Sequence, residues 1–160
     1  MRTELNEISD LDAMYARALA LAKKGRKAQA HRVLPLLRAA ADGGHAMAAH
    51  ALASWYIHGI GVRKNFRVAV ALEEVAARAG IVEAIFNLAF AYEAGRGVEK
   101  DTEKALRLYR RAAGRGDSEG MYEVGRCIFY GIGTSKNEQL GRKWLQRSQR
   151  SIDGAVPTAP

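Results

Sequence analysis

The chain has 160 residues, 48% hydrophobic and 26% charged. That suffices for one buried core and excludes a disordered polyelectrolyte. Alanine dominates over Val, Ile and Thr, so the composition points to helices rather than strands. The formal net charge of +8 favours acidic partners, with nucleic acid to be weighed among them. Cys127 stands alone, which excludes an internal disulfide and a cysteine zinc site.

The start, Met1-Arg2-Thr3-Glu4-Leu5-Asn6-Glu7, has acids where an export signal needs a basic and then an apolar run. A short N-terminal segment, residues 1–9, is therefore expected before the fold begins. The apolar stretch from Ala16 to Ala22 is far too short to span a bilayer. A cytoplasmic location with no membrane span is the resulting expectation.

Ser9 and Asp10 are predicted to cap a first helix reaching about Lys24. Gly25 provides a turn, and a second helix is expected from Lys27 to Ala41, ending at Gly43-Gly44. Pro35 falls inside that helix, removes a backbone donor, and predicts a kink near Val33.

From there the chain repeats itself. Gly59-Ile60-Gly61, Gly95-Arg96-Gly97 and Gly131-Ile132-Gly133 are spaced by 36 residues. In the same register stand Leu52, Leu88 and Val124; Ala53, Ala89 and Gly125; Val62, Val98 and Thr134; Asn65, Asp101 and Asn137; and Leu72, Leu108 and Trp144. Each unit reads as two helices. The first, at 46–58, 82–94 and 118–130, spaces small and apolar residues at three and four. Gly-x-Gly stops it, because Gly adopts positive φ without a Cβ clash. Asn65, Asp101 or Asn137 then caps a second helix, at about 66–79, 102–115 and 138–150. Ala69, Ala76, Ala105 and Ala112 let the paired helices approach, and Gly80 and Gly116 close two units. The expected fold is all-α, four helix hairpins at about 10–44, 45–80, 81–116 and 117–152. The tail, 153–160, with Gly154, Pro157 and Pro160, is predicted to be disordered.

The motifs Ala48-x3-Leu52-Ala53-x2-Tyr56-x2-Gly59-x-Gly61-Val62-x2-Asn65 and Ala84-x3-Leu88-x3-Tyr92-x2-Gly95-x-Gly97-Val98-x2-Asp101-x2-Lys104-Ala105-x3-Tyr109-x2-Ala112-Ala113-x2-Gly116 resemble the Sel-like repeat (SLR) family. The second unit departs at Val68-Ala69, where the family has Lys-Ala. The last departs at Ile128, Thr134 and Gly141, as a terminal unit with no successor can. The first unit resembles a tetratricopeptide hairpin through Ala18, Leu21, Gly25, Ala30 and Leu34. The resemblance implies a right-handed superhelix of antiparallel helix pairs acting as an adaptor or scaffold in protein complexes. Some secreted bacterial members carry a cysteine pair per repeat and are linked to β-lactam binding; the single Cys127 separates this chain from them.

If the units stack in that way, the first helices line a concave groove. Its expected contact residues are Tyr15 and Leu19; Met47, His50, Ser54 and Ile57; Glu83, Phe86, Phe90 and Glu93; and Glu119, Tyr122, Arg126 and Phe129. Tyr15, His50, Phe86 and Tyr122 form one row of rings, suited to anchoring a peptide or helix from a protein partner of acidic character. The competing reading buries these rings as core. Arg107, Arg110, Arg111 and Arg115, and Arg142, Lys143, Arg147 and Arg150, cluster on the last two second helices. A solvated basic face explains them, with polyanion binding as the alternative and no nucleic-acid motif present.

No catalytic set is legible. Gly-x-Gly follows a helix and lacks the remainder of a phosphate loop. The histidines have no metal-ligand spacing and no sequence neighbour to complete a site. Cys127 has no local activator, and no Gly-x-Ser-x-Gly elbow occurs. The sequence therefore predicts no enzyme activity, no cofactor and no metal; the lesser alternative is an enzyme whose active site is assembled from the groove, for which no acid, base or nucleophile set is legible. A narrower reading is an immunity-type or regulatory inhibitor; the oligomeric state is left open.

Overall fold

The computed structural model describes the backbone of residues 2–152 and the side chains from Asp10 onward. Within them are eight helices and no strand. The tail beginning at Asp153 lies outside the described residues. The chain divides between Ile81 and Val82 into two compact units.

The first unit holds α1 (Arg2–Lys23), α2 (Ala30–Asp42), α3 (Ala46–His58) and α4 (Phe66–Arg78), each packed on the next. Its core combines Ala18 and Leu21 of α1, Val33, Leu34, Leu37 and Ala40 of α2, and Ala48, Leu52 and Trp55 of α3. The second unit holds α5 (Val82–Ala94), α6 (Thr102–Ala113), α7 (Ser118–Tyr130) and α8 (Glu138–Ile152), again packed in order. Ile85, Leu88, Leu106, Tyr109, Val124, Cys127 and Ile128 are buried there. Ala69, Ala76, Ala105 and Ala112 are buried as well, at the helix faces where a larger side chain would hold neighbours apart.

Two features of the first hairpin depart from the sequence reading. Helix α1 begins at Arg2, so Ser9 and Asp10 lie within it and do not cap its start. The segment before them has no Gly or Pro to stop a helix, and acids early in a helix suit its dipole. Helix α2 begins at Ala30 rather than Lys27. Gly25 takes φ of 122° and the chain makes a further turn, with the Gln29 amide donating to the Gly25 carbonyl. Cations at Lys24, Arg26 and Lys27 oppose the positive end of a helix dipole, which disfavours an earlier start. The helix continues through Pro35, whose ring is exposed.

The three Gly-x-Gly connections are built alike. Gly59, Gly95 and Gly131 have φ of 68°, 67° and 78°. The next amide, of Ile60, Arg96 or Ile132, donates to the carbonyl of Trp55, Ala91 or Cys127 at 2.8–3.1 Å. Then Asn65, Asp101 and Asn137 act twice. Their amides donate back to the carbonyls of Tyr56, Tyr92 and Ile128 at 2.8–3.0 Å. Their side-chain oxygens accept from the amides of Val68, Lys104 and Leu140, capping α4, α6 and α8. Each such cap is worth ~1 kcal/mol. His45 and Asp117 cap α3 and α7 in the same manner, through amides of Ala48 and Gly120.

Gly141 replaces an alanine of the repeat for a steric reason. A Cβ there would lie 2.8 Å from the backbone nitrogen of Phe129, so α8 sits closer to α7 than an alanine permits. In a free helix Gly→Ala is stabilising by ~1 kcal/mol. We expect Gly141→Ala to destabilise the protein instead, by about 1–3 kcal/mol, because backbone must move to admit the methyl. Urea denaturation measures this, and an increase in stability would show that α7 and α8 are not in such close contact.

Candidate functional site

In the first unit the expected contact residues fall into two groups. Met47 and Leu19 are exposed. Ser54 lies 3.5 Å from His58, whose Nδ1 is bonded to the Ser54 carbonyl, and Ile57 is half-buried. Tyr15 and His50 instead face neighbouring helices. The Tyr15 ring is 4.7 Å from that of His45, and burial raises its phenol pKa. His50 Nδ1 lies 2.9 Å from Glu73 Oε2, a carboxylate of α4 that is only 3% exposed. Sequence neighbours could not show this pair, because 23 residues separate its members.

In the second unit, Phe86 packs 5.4 Å from the buried ring of Tyr109 on α6. Glu93 and Arg126, 33 residues apart, form an ion pair between α5 and α7, with Arg126 Nη2 2.6 Å from Oε1 and 2.7 Å from Oε2. Arg126 Nε also donates to Glu123 at 2.5 Å, and the Tyr109 hydroxyl donates to Glu93 at 3.0 Å. Burial works against the Arg126 charge, but the two carboxylates outweigh it and hold the guanidinium firmly protonated. Burial and then the Glu93 charge push the Tyr109 phenol far up. These four groups satisfy one another and join three helices.

Phe86, Glu119 and Tyr122, one from α5 and two from α7, line a single open cleft of about 550 Å³. Ser118, Glu123, Leu145, Ser148, Gln149 and Ile152 complete it. Tyr122 is 51% exposed and Ile152 64%, whereas Ser148 is buried and donates to the Ser118 carbonyl, fixing α8 against α7. The α8 contribution was missed at the sequence level. Its signal is the spacing of Leu145, Ser148, Gln149 and Ile152 at three and four along one helix face. Glu83 and Phe90 are exposed outside this lining, with the Arg96 guanidinium 5.3 Å over the Phe90 ring. Phe129 is half-buried, 4.9 Å edge-on to Tyr130, with Arg142 at 5.8 Å.

A family match decides what kind of frame carries this cleft. The Sel1 repeat matches three times, over residues 46–81, 82–117 and 118–148. The chain belongs to the Sel1 repeat family. A Sel1 repeat protein from Oxalobacter formigenes is similar over 86% of this chain and 55% of its own, at 30% identity and a TM-score of 0.70. A protective antigen of uropathogenic Escherichia coli, c5321, which displays an SLR fold, is similar over 88% of this chain at 25% identity and a TM-score of 0.73. This chain spans 33% of that one's length. Cysteine rich protein B of Helicobacter pylori shares the fold over 72% of this chain and 87% of its own, at 23% identity and a TM-score of 0.56. A comparison with curated proteins finds no match. Sel1 repeats generally serve as scaffolds for protein interaction and are typically non-catalytic.

Among the described residues no group of three or more His, Cys, Asp or Glu converges to hold a metal ion. Nor is any helix among them long and apolar enough to cross a membrane. Cys127 is 1% exposed, and burial pushes its thiol pKa up to about 11. At pH 8 only about one thiol in a thousand is then ionised, so attack by the thiolate is suppressed twice, by access and by charge. We expect a disulfide reagent such as dithionitrobenzoate to leave native Cys127 unmodified over hours and to label it at once in 6 M guanidinium. Rapid labelling of the native protein would contradict the buried position.

Proposed function

We propose that this Sel1-repeat chain is an interaction scaffold that holds a segment of a partner protein in the cleft of its second unit. The observation carrying this reading is that Phe86, Glu119 and Tyr122 line one open cleft together with the α8 stripe. The partner segment is an amphipathic peptide or helix, with an apolar side for Tyr122, Leu145 and Ile152 and polar groups for Glu119, Glu123 and Gln149. Tyrosine suits such a role, offering large contact area with few rotors to immobilise and a hydroxyl for the wet rim. The Glu93–Arg126–Glu123–Tyr109 network supplies rigidity, which lowers the ordering cost of binding. Where the captured segment carries the partner's own functional surface, the scaffold acts as a regulatory or immunity-type inhibitor by occlusion.

The remaining residues of the expected groove take lesser parts. Glu83 and Phe90 extend the surface of α5 beside the cleft, whereas Tyr15, Met47, His50 and Ser54 belong to the first unit and serve its own packing or surface. Arg107, Arg110, Arg142, Lys143 and Arg150 are exposed on α6 and α8, Arg115 is exposed in the turn after α6, and all support solubility and steering.

Selection of a displayed helical-peptide library against the native protein tests this. Selected peptides should lose at least about tenfold in affinity, a typical centre-of-interface effect, on Tyr122→Ala or Ile152→Asp. The melting curve should stay unchanged, since both side chains are exposed. Peptides that bind Tyr122→Ala and Ile152→Asp as tightly as the native chain, or a library that yields no binder, would place the interaction surface elsewhere.

A further inference from the structure

Charge in the first unit is concentrated in one stretch of its sequence. Between residues 13 and 72, ten Lys and Arg stand against a single acid, Asp42. All ten are exposed, and among the described residues none forms an ion pair. Six of them, Lys23, Lys24, Arg26, Lys27, Arg63 and Lys64, flank or occupy two connections, the α1–α2 turn and the α3–α4 loop. Both connections lie at the same end of the unit. The Gly61 backbone abuts Ala30 and Leu34 so closely that a side chain there would collide with them, and the Arg26 guanidinium lies 5.7 Å over the Trp55 ring.

The repeats themselves show that the loop requires only part of this charge, since Lys64 recurs as Lys100 and Lys136 but its neighbours change. Position 63 becomes Glu99 and Ser135 in the following units, and position 67 changes from Arg67 to Glu103 and Gln139. In the second unit one of these two recurring lysines is neutralised locally, with Lys136 Nζ 2.8 Å from Glu138. Clustered like charges repel, and the natural counterpart of such a cluster is an anionic ligand. The rings nearest the cluster are already covered. Trp55 is 1% exposed beneath Arg26, and Lys64 lies 5.1 Å over Phe66. Open aromatic platforms, on which single-stranded bases stack, are not offered here.

We propose that this basic end of the first unit docks a carboxylate-rich segment of a partner protein, through Lys24, Lys27, Arg63 and Lys64 in particular. The inference rests on the scaffold reading above and names the chemistry of a second, separate contact. Its contribution is electrostatic, so it accelerates association and weakens with salt.

Fluorescence anisotropy on the full chain tests it, using a labelled ten-residue Glu/Asp peptide, a Gly/Ser peptide of equal length, and short single- and double-stranded DNA. One variant carries Lys24→Glu, Lys27→Glu, Arg63→Glu and Lys64→Glu. A control of equal charge change carries Arg107→Glu, Arg110→Glu, Lys143→Glu and Arg150→Glu. We expect the acidic peptide alone to bind at low salt, with affinity reduced about tenfold or more by the first set and less than about threefold by the control, as a localised charge site requires. Should the glutamate set alter melting, the same four changes to Gln must reproduce the loss. Equal loss in both sets, no binding of the acidic peptide, or DNA binding more tightly than the peptide through the same residues would each overturn the proposal. Tyr122→Ala must leave this binding unchanged. Failure here with cleft-selected peptides still bound removes only this inference, whereas loss of cleft binding alone removes only the cleft.

Discussion

The amide of Asn65 donates to the carbonyl of Tyr56, and the amides of Asp101 and Asn137 make the same bond one and two periods later. That bond clasps the end of a first helix to the start of a second. It forms only because Gly59, Gly95 and Gly131 turn the chain with positive φ, a conformation that costs any other L-residue roughly 1–2 kcal/mol. The residue that donates the amide also caps the next helix with its side chain, so one position ends the loop and starts α4, α6 or α8. Helix pairing in every repeat, and with it the placement of each surface residue, depends on this clasp.

Because the acceptor is a main-chain carbonyl, the side chain at that position is released from holding the loop. Tyr92 uses this freedom to accept from Lys104 Nζ at 2.5 Å. In the repeat formed by α3 and α4, Val68 stands where Lys104 does in the next, and the Tyr56 hydroxyl accepts from Arg38 of α2 instead. In the last unit both members change together, to Ile128 and Leu140, and no hydroxyl is left seeking a partner. The repeat signature is thus weaker in sequence than in structure. The same freedom lets surface chemistry differ between repeats, as at Arg63, Glu99 and Ser135.

The first helices at 46–58, 82–94 and 118–130 were legible to the residue, since apolar spacing, Gly-x-Gly and the cap all mark the same boundaries. The first hairpin was less so. Its turn lacks Gly-x-Gly, and the charge that delays α2 until Ala30 acts through space rather than through a motif. The candidate site was legible in part. Tyr122, Phe86 and Glu119 follow from helix periodicity, whereas Glu93 and Arg126 were read as open polar contacts and are paired to each other across two helices. Such pairs depend on how helices come together, as does the conversion of His50 from a surface ring to the partner of a buried glutamate. Cysteine chemistry was the simplest case, because isolation in sequence and burial in the fold lead to the same inert thiol.

Amide hydrogen exchange at Asn65, Asp101 and Asn137 addresses the clasp most directly. The account predicts that these three amides exchange together and far more slowly than their loop neighbours at Lys64, Lys100 and Lys136. Exchange at unprotected rates, or protection at one position and not at the other two, would contradict the equivalence of the repeats.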